Sequence, residues 1–246
     1  MSDLSYRIVG EGPPLLLLHG FGISYNIWQA LVPLLHSHFQ LILVELPGIG
    51  ASPPLPAQTL YYVAGADLLD ELRRELGITR WSLLCYSTGT RMGEIYVQRY
   101  GDTVSRCIFL CPLHIPGWRW RLLQTVLHID AVLPSFGDWA LSGPRLYGLV
   151  TSLGFNGRAG RRAAEWTRDI GAQPIHVLRQ ALRDIPDEGH SLLSLGVPTL
   201  YIWGRQDVIT ICPRHRSKRH FCINANHAAP ILAAADVAHL TLEFLR

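Results

Sequence analysis

Between residues 6 and 111, short apolar runs alternate with longer stretches in which apolar and polar positions recur at helical spacing. The runs at 15–19, 41–45, 81–86 and 107–111 are brief and largely apolar. Strands buried on both faces read this way, because neither side meets water. A further run of the same kind lies at 199–203, a weaker one at 221–224, and residues 6–9 read as the strand that starts the sheet. Between them, 27–36, about 61–76, 90–100 and 231–245 carry the periodicity of amphipathic helices. Such alternation predicts an α/β fold with a mostly parallel central sheet and helices on both faces.

The alternation stops after Pro112. Helical patterns then follow one another at 118–129, 144–152, 160–170 and 174–185, with no strand among them. Pro134, Gly143, Gly157, Gly171 and Pro186 punctuate them, and Pro144 and Pro174 suit a first helical position, where a missing N–H costs little. A helical excursion between two strands of a parallel sheet reads as a lid over its carboxyl edge. The expected division is a core of residues 1–114 and 196–246 with an all-helical lid at 115–195.

Composition narrows the class. The chain has 246 residues, 48% hydrophobic and 17% charged, values of a folded globular protein. A net charge of +3 gives no reason to expect a nucleic-acid partner. The dense basic run, Arg214 to His220, has no aromatic interleaving and reads as a solvated helix face. Cys212, His215, His220 and Cys222 are spaced loosely like zinc ligands, but they stand among four cationic side chains, and no metal is expected there. Five cysteines, an odd number without framework spacing, point to reduced thiols in a cytoplasmic protein. The first residues lack a basic region followed by a long apolar run, so no signal peptide is expected. Apolar stretches such as 13–18 are far too short to span a bilayer.

The chemistry concentrates at strand ends. Cys85-Tyr86-Ser87-Thr88-Gly89 follows one strand and opens a helix. A serine on such a sharp turn projects its hydroxyl above the sheet, and the crowded turn demands small residues two before and two after it. His19-Gly20-Phe21-Gly22 follows an earlier strand, and its turn aims the Phe21 N–H at the same point as the Thr88 N–H, a candidate oxyanion hole. A serine needs a base, and the base an orienting carboxylate. Eleven histidines are available, so position decides: Asp207 and His227 each lie just past a strand, giving the order Ser, Asp, His at one sheet edge. His190 precedes the strand at 199–203 and would break that order, and His19 reads as a packing or hydrogen-bonding residue. His36, His38, His128, His176, His215, His220 and His239 read as surface residues. Gly22, Tyr86 and His114 flank the reacting groups, and Trp118 and Trp139 come from the lid; these five are expected to contact substrate.

With these residues in view, the sequence resembles the α/β-hydrolase superfamily through nearly the whole chain. The stretch from Gly10 to Gly22 resembles that family's first parallel strand and oxyanion turn, and Trp28 stands where the following helix commonly has tryptophan. Glu45-Leu46-Pro47-Gly48-Ile49-Gly50-Ala51-Ser52 is similar to its Asp-x-Pro-Gly-x-Gly-x-Ser loop, 198–207 to its acid-bearing strand and 240–245 to its closing helix. The departures are Glu45 for Asp, Ile49 where His is frequent, Cys85 for Gly, and a short segment between Asp207 and His227. The resemblance implies the lid and carries the triad onto Ser87, Asp207 and His227. A serine nucleophile is unlike the epoxide hydrolase and haloalkane dehalogenase branches, and a lid without lysine is unlike hydroxynitrile lyases.

The expected activity is hydrolysis of a modest-sized, hydrophobic small-molecule carboxylic ester, without cofactor. The same triad could serve a carbon–carbon bond, lactone, thioester or amide, and a ligand-binding receptor of this fold could retain it unused. Trp118-Arg119-Trp120-Arg121 alternates aromatic and basic residues as interfacial helices do, but a lid helix over an apolar pocket produces the same pattern.

Overall fold

A computed structural model describes residues 2–113, 117–142, 145, 148, 172–185, 195–212 and 219–246. Its strands are β1 (Tyr6–Val9), β2 (Pro14–Leu18), β3 (Gln40–Val44), β4 (Trp81–Tyr86), β5 (Val104–Leu110), β6 (Thr199–Gly204) and β7 (His220–Ile223). They form one sheet in the order β1-β3-β2-β4-β5-β6-β7. Only the edge strand β1 is antiparallel; every other neighbouring pair is parallel.

The near-continuous apolar runs are explained by the two layers of side chains that the sheet separates. Leu16, Leu18, Ile42, Val44, Leu83, Cys85, Cys107 and Phe109 point to one face, where α2 (Tyr61–Glu75) and α3 (Gly89–Tyr100) pack through Tyr62, Ala66, Leu69, Met92 and Tyr96. Leu15, Leu17, Leu41, Leu43, Leu84, Ile108 and Leu110 point to the other, against Trp28, Leu31, Leu35 and Val237. Both sets are buried, so the two-residue alternation of a strand carries no polar positions to betray it.

Two helices differ from the expected pattern. The stretch 27–36 forms a 3-10 turn (Tyr25–Trp28) and a separate short α1 (Val32–Leu35). Pro33 lies in the first turn of α1, and lacking an N–H it cannot continue a helix arriving from the preceding turn. The closing helix is likewise divided into α7 (Ala229–Leu232) and α8 (Ala234–Leu245), with Ala233 between them at φ −129°.

After β5 come α4 (Gly117–Val132), α5 (Pro134–Ala140) and α6 (Ile175–Arg183). Pro134, read from the sequence as a break, does separate α4 from the next helix, and it does so as the first-turn proline of α5. Pro174 caps α6 rather than beginning it. The Arg179 guanidinium binds Asp130 of α4 through Nε at 3.0 Å and through its terminal nitrogen at 2.8 Å, and Asp138 of α5 at 2.8 Å. Of the helix expected at 144–152 only Arg145 and Gly148 are described, both helical. The one expected at 160–170 lies outside the described residues, as do His190 and the basic residues Arg214 to Lys218. His220, expected at the surface, is instead the first residue of β7; its ring stacks on Tyr201 at 4.5 Å and accepts the Trp203 indole N–H. Among the described residues no helix is long and apolar enough to cross a membrane.

Chain order places the site. β3 lies on one side of β2 and β4 on the other, so the winding reverses between β2 and β4. The crevice outside the carboxyl ends of strands at such a reversal is where ligands bind in open α/β sheets. Leu18 of β2 pairs with Cys85 of β4, which brings the turns that follow them side by side.

Candidate active site

Ser87 follows β4 directly and has φ +52°, a left-handed conformation that a residue with a side chain adopts only when its surroundings force it. The surroundings are specific: Ser87 N–H donates to Leu110 O of β5 at 3.0 Å, and Thr90 N–H donates back to Ser87 O at 3.0 Å. A Cβ on Gly89 would stand 2.3 Å from His19 O, and one on Gly20 would stand 2.9 Å from Ser87 Cβ. Both glycines are therefore required for the oxyanion turn and the serine turn to touch. Cys85, the larger residue two before the serine, is wholly buried, with its sulfur over Gly93 of α3.

Asp207 sits in the turn after β6. One carboxylate oxygen accepts the N–H groups of Ile209 at 2.8 Å and Thr210 at 3.0 Å; the other accepts the Thr210 hydroxyl at 2.6 Å. The second oxygen also lies 2.8 Å from His227 Nδ1, and His227 Nε2 lies 2.9 Å from Ser87 Oγ. Burial alone would raise the Asp207 pKa, but the His227 ring beside it and the bonds from His227 and Thr210 outweigh burial and hold the carboxyl below its ordinary value. The short connection between acid and histidine works because their loops pair directly: Arg205 N–H donates to Ile223 O at 3.0 Å and Gln206 N–H to Ala225 O at 2.9 Å.

The other sequence-selected residues fall into three groups. Phe21, Gly22 and Thr88 line one narrow cavity, and among the described residues neither the Phe21 nor the Thr88 N–H has an acceptor. Tyr86 stands behind the histidine: its hydroxyl donates to His227 O at 2.7 Å and its ring lies 5.2 Å from the imidazole. It positions the loop of His227 rather than lining the cavity. Trp139 stands apart, 54% exposed, stacked on Phe136 and under the Arg145 guanidinium. Trp118 belongs to α4, but its side chain lies outside the described residues, and so does His114.

His19 Nδ1 donates to Gly20 O at 3.0 Å, while its Nε2 accepts Leu46 N–H at 3.0 Å. These bonds need the proton on Nδ1, so the 3.5 Å approach of Glu45 to Nε2 is not an ion pair. His19 thus ties the oxyanion turn to the 45–52 loop.

Sequence reasoning missed several residues. Ile49, Val177 and Leu178 line the cavity opposite Phe21 and Thr88, joined by Tyr61 and Tyr62 of α2. Ile49 was legible only as a departure from a loop pattern, whereas α6 is amphipathic and its apolar positions Val177, Leu178 and Ala181 are the ones it turns inward. Cys111 is wholly buried at φ +45°, and its sulfur lies within 4.8 Å of an Asp207 carboxylate oxygen and a His227 ring nitrogen. Its only mark in the sequence is its place immediately after β5.

Comparison with known proteins agrees with this architecture. The sequence profile of the α/β hydrolase fold family matches residues 13–212. A pimeloyl-[acyl-carrier protein] methyl ester esterase from Legionella pneumophila (strain Corby) is 38% identical over 208 residues, 82% of this chain and 78% of that one. The esterase of the same name from Vibrio vulnificus (strain YJ016) is 34% identical over 125 residues, and there the chain spans only about half, 47%, of its relative's length. A solved hydrolase from Oleispira antarctica superposes with a TM-score of 0.79 at 18% identity, over 99% of this chain and 94% of the other, a likeness of fold. With a profile match across most of its length and the sheet to go with it, the chain belongs to the α/β hydrolase fold family.

Proposed function

We propose that this protein is a serine carboxylic ester hydrolase acting through an acyl-enzyme on Ser87. The observation that carries the reading is the unbroken bond path from Ser87 Oγ through His227 to Asp207, at 2.9 and 2.8 Å. His227 Nε2 takes the Ser87 proton as Oγ attacks the ester carbonyl. Asp207, locked by Ile209 and Thr210, keeps Nδ1 protonated and stabilises the imidazolium. The Phe21 and Thr88 N–H groups receive the oxyanion, and each such donor is typically worth about 3 kcal/mol. His227 then protonates the departing alcohol, and water delivered by the same base cleaves the acyl-enzyme.

The substrate proposed is an uncharged, fairly hydrophobic ester of modest size. Ile49, Val177, Leu178 and the two tyrosines give the cavity an apolar lining, which favours an alkyl acyl chain. The Legionella and Vibrio relatives are named for a methyl ester of a carrier-bound acyl group, and a methyl ester at the end of an acyl chain falls within this class. Residues 115–195 act as a lid over the carboxyl edge, and the protein works in the cytoplasm without cofactor. The test is a series of methyl and p-nitrophenyl esters of increasing acyl length, with wild type and Ser87→Ala. Turnover that rises with chain length to an optimum and vanishes in the variant is expected. No turnover across the series, or equal turnover by both proteins, overturns the reading.

A further inference from the structure

Two cysteines outside the reacting groups stand at the ends of the segment between the acid turn and the last strand. Cys212 closes the turn that begins at Asp207, and Cys222 is the third residue of β7, paired with Trp203 of β6. Cys222 donates its S–H to Cys212 Sγ at 2.8 Å, and both residues are half-buried. The remaining cysteines, Cys85, Cys107 and Cys111, are wholly buried in the sheet, where no solute reaches them. Zinc finds a poor set of ligands here, since His220, the described histidine beside Cys222, already accepts the Trp203 N–H on Nδ1.

We propose that Cys212 and Cys222 form a reversible redox site that closes to an intramolecular disulfide, with a small-molecule disulfide such as oxidised glutathione as the oxidant. One thiolate attacks the glutathione disulfide and releases one glutathione thiolate, leaving a mixed disulfide. The second cysteine, already in contact, attacks the protein sulfur of that mixed disulfide and releases the other glutathione. The two protein thiols lose two protons and two electrons, and the glutathione disulfide is reduced to two thiols. The new bond fastens the end of the Asp207 turn to β7, the strand that leads to His227. It also closes a ring over residues 212–222, which restricts the unfolded chain more than the folded one.

The test is exposure of the whole folded protein to oxidised glutathione, followed by intact mass, peptide mapping and a thiol count in denaturant. Wild type is expected to lose two hydrogens in mass, to fall from five thiols to three, and to yield a linked peptide pair containing Cys212 and Cys222. Its Tm should rise by about 5 °C and return on reduction. In Cys212→Ser the exchange should stop at a stable glutathione adduct on Cys222, with no gain in Tm. A lasting adduct on wild type, five surviving thiols, a bond joining any other pair, or an unchanged Tm on closure overturns the inference.

Discussion

At the carboxyl edge of the sheet, Ser87, Asp207 and His227 hang from β4, β6 and β7, and backbone groups of neighbouring strands and turns fix each of them. Helices α4 and α5 are held on other terms. α4 leaves Val132 73% and Leu122 59% exposed, Leu133 between the two helices is 55% exposed, and one guanidinium, that of Arg179, joins both helices to α6. The difference has a physical origin. β4 and β6 are hydrogen-bonded to neighbours on both sides and β7 to β6 alone, whereas α4 and α5 are joined to α6 by a few side chains. Under the proposed function, reaction chemistry belongs to the sheet edge, and substrate choice to residues such as Val177 and Leu178 of α6 that line the cavity.

The largest effect expected from breaking the contrast lies at the edge itself. Asp207→Asn should lower kcat on a small ester by roughly 10³- to 10⁴-fold, because an amide neither fixes the histidine tautomer nor stabilises the imidazolium. Its melting curve should stay within a few degrees of wild type, since Thr210 and Ile209 retain an acceptor. Steady-state kinetics beside thermal denaturation separates the two quantities.

Among the helices the same kind of cut should behave in reverse. Arg179→Met leaves Asp130, only 5% exposed, without its bidentate partner. The variant should lose about 2 kcal/mol, less than a fully buried pair because Arg183 stands 3.7 Å away. Its kcat on a small ester should stay within a few-fold of wild type, as denaturant titration and kinetics together would establish.

Beneath the site, Glu94 of α3 sharpens the comparison through pH. Burial pushes its carboxyl from 4.5 up to about 7, and Arg91, 3.3 Å away, offsets only part of that. Between these values the folded chain keeps a proton that the unfolded chain has released. Stability therefore falls as pH rises from 4.5 through 7, and the loss is complete above 7. Glu94→Gln should remove that slope, leaving stability unchanged near pH 4 and raising it at pH 8 by on the order of 1–2 kcal/mol. Urea titrations at the two pH values measure it. The smallest effect is expected for Tyr86→Phe, which takes the donor from His227 O and should cost about 1 kcal/mol. A fall in kcat of less than ten-fold, read in the same assays, fits a positioning role.

The contrast also accounts for what could be read from the sequence. Strands buried on both faces are apolar at every position, so the five central runs stood out. The residues just past two of them were the natural candidates for Ser87 and Asp207, whereas His227 follows the weaker run of the edge strand β7 and was reached through the order of the triad. Glycine at 20 and 89 was legible because close backbone approach excludes other residues. The helices after β5 carry no comparable constraint. Pro134 reads equally as a stop or as a first turn, and it proved to open α5. Trp139, chosen as a large apolar residue in a lid, lies largely in solvent, while the smaller Val177 and Leu178 reach the cavity. Val177 and Leu178 belong to the apolar face of an amphipathic helix, a signal that singling out large aromatic residues passed over. Cys111 escaped notice for a different reason, since only the meeting of β5 and β6 brings its thiol near Asp207.

The most direct measurement is labelling of the folded chain with a fluorophosphonate, followed by peptide mass mapping. Modification confined to Ser87, absent in Ser87→Ala and strongly slowed in His227→Ala, is the result expected of a hydroxyl activated by its histidine. A folded wild type that remains unlabelled, or a label carried by another residue, would contradict it.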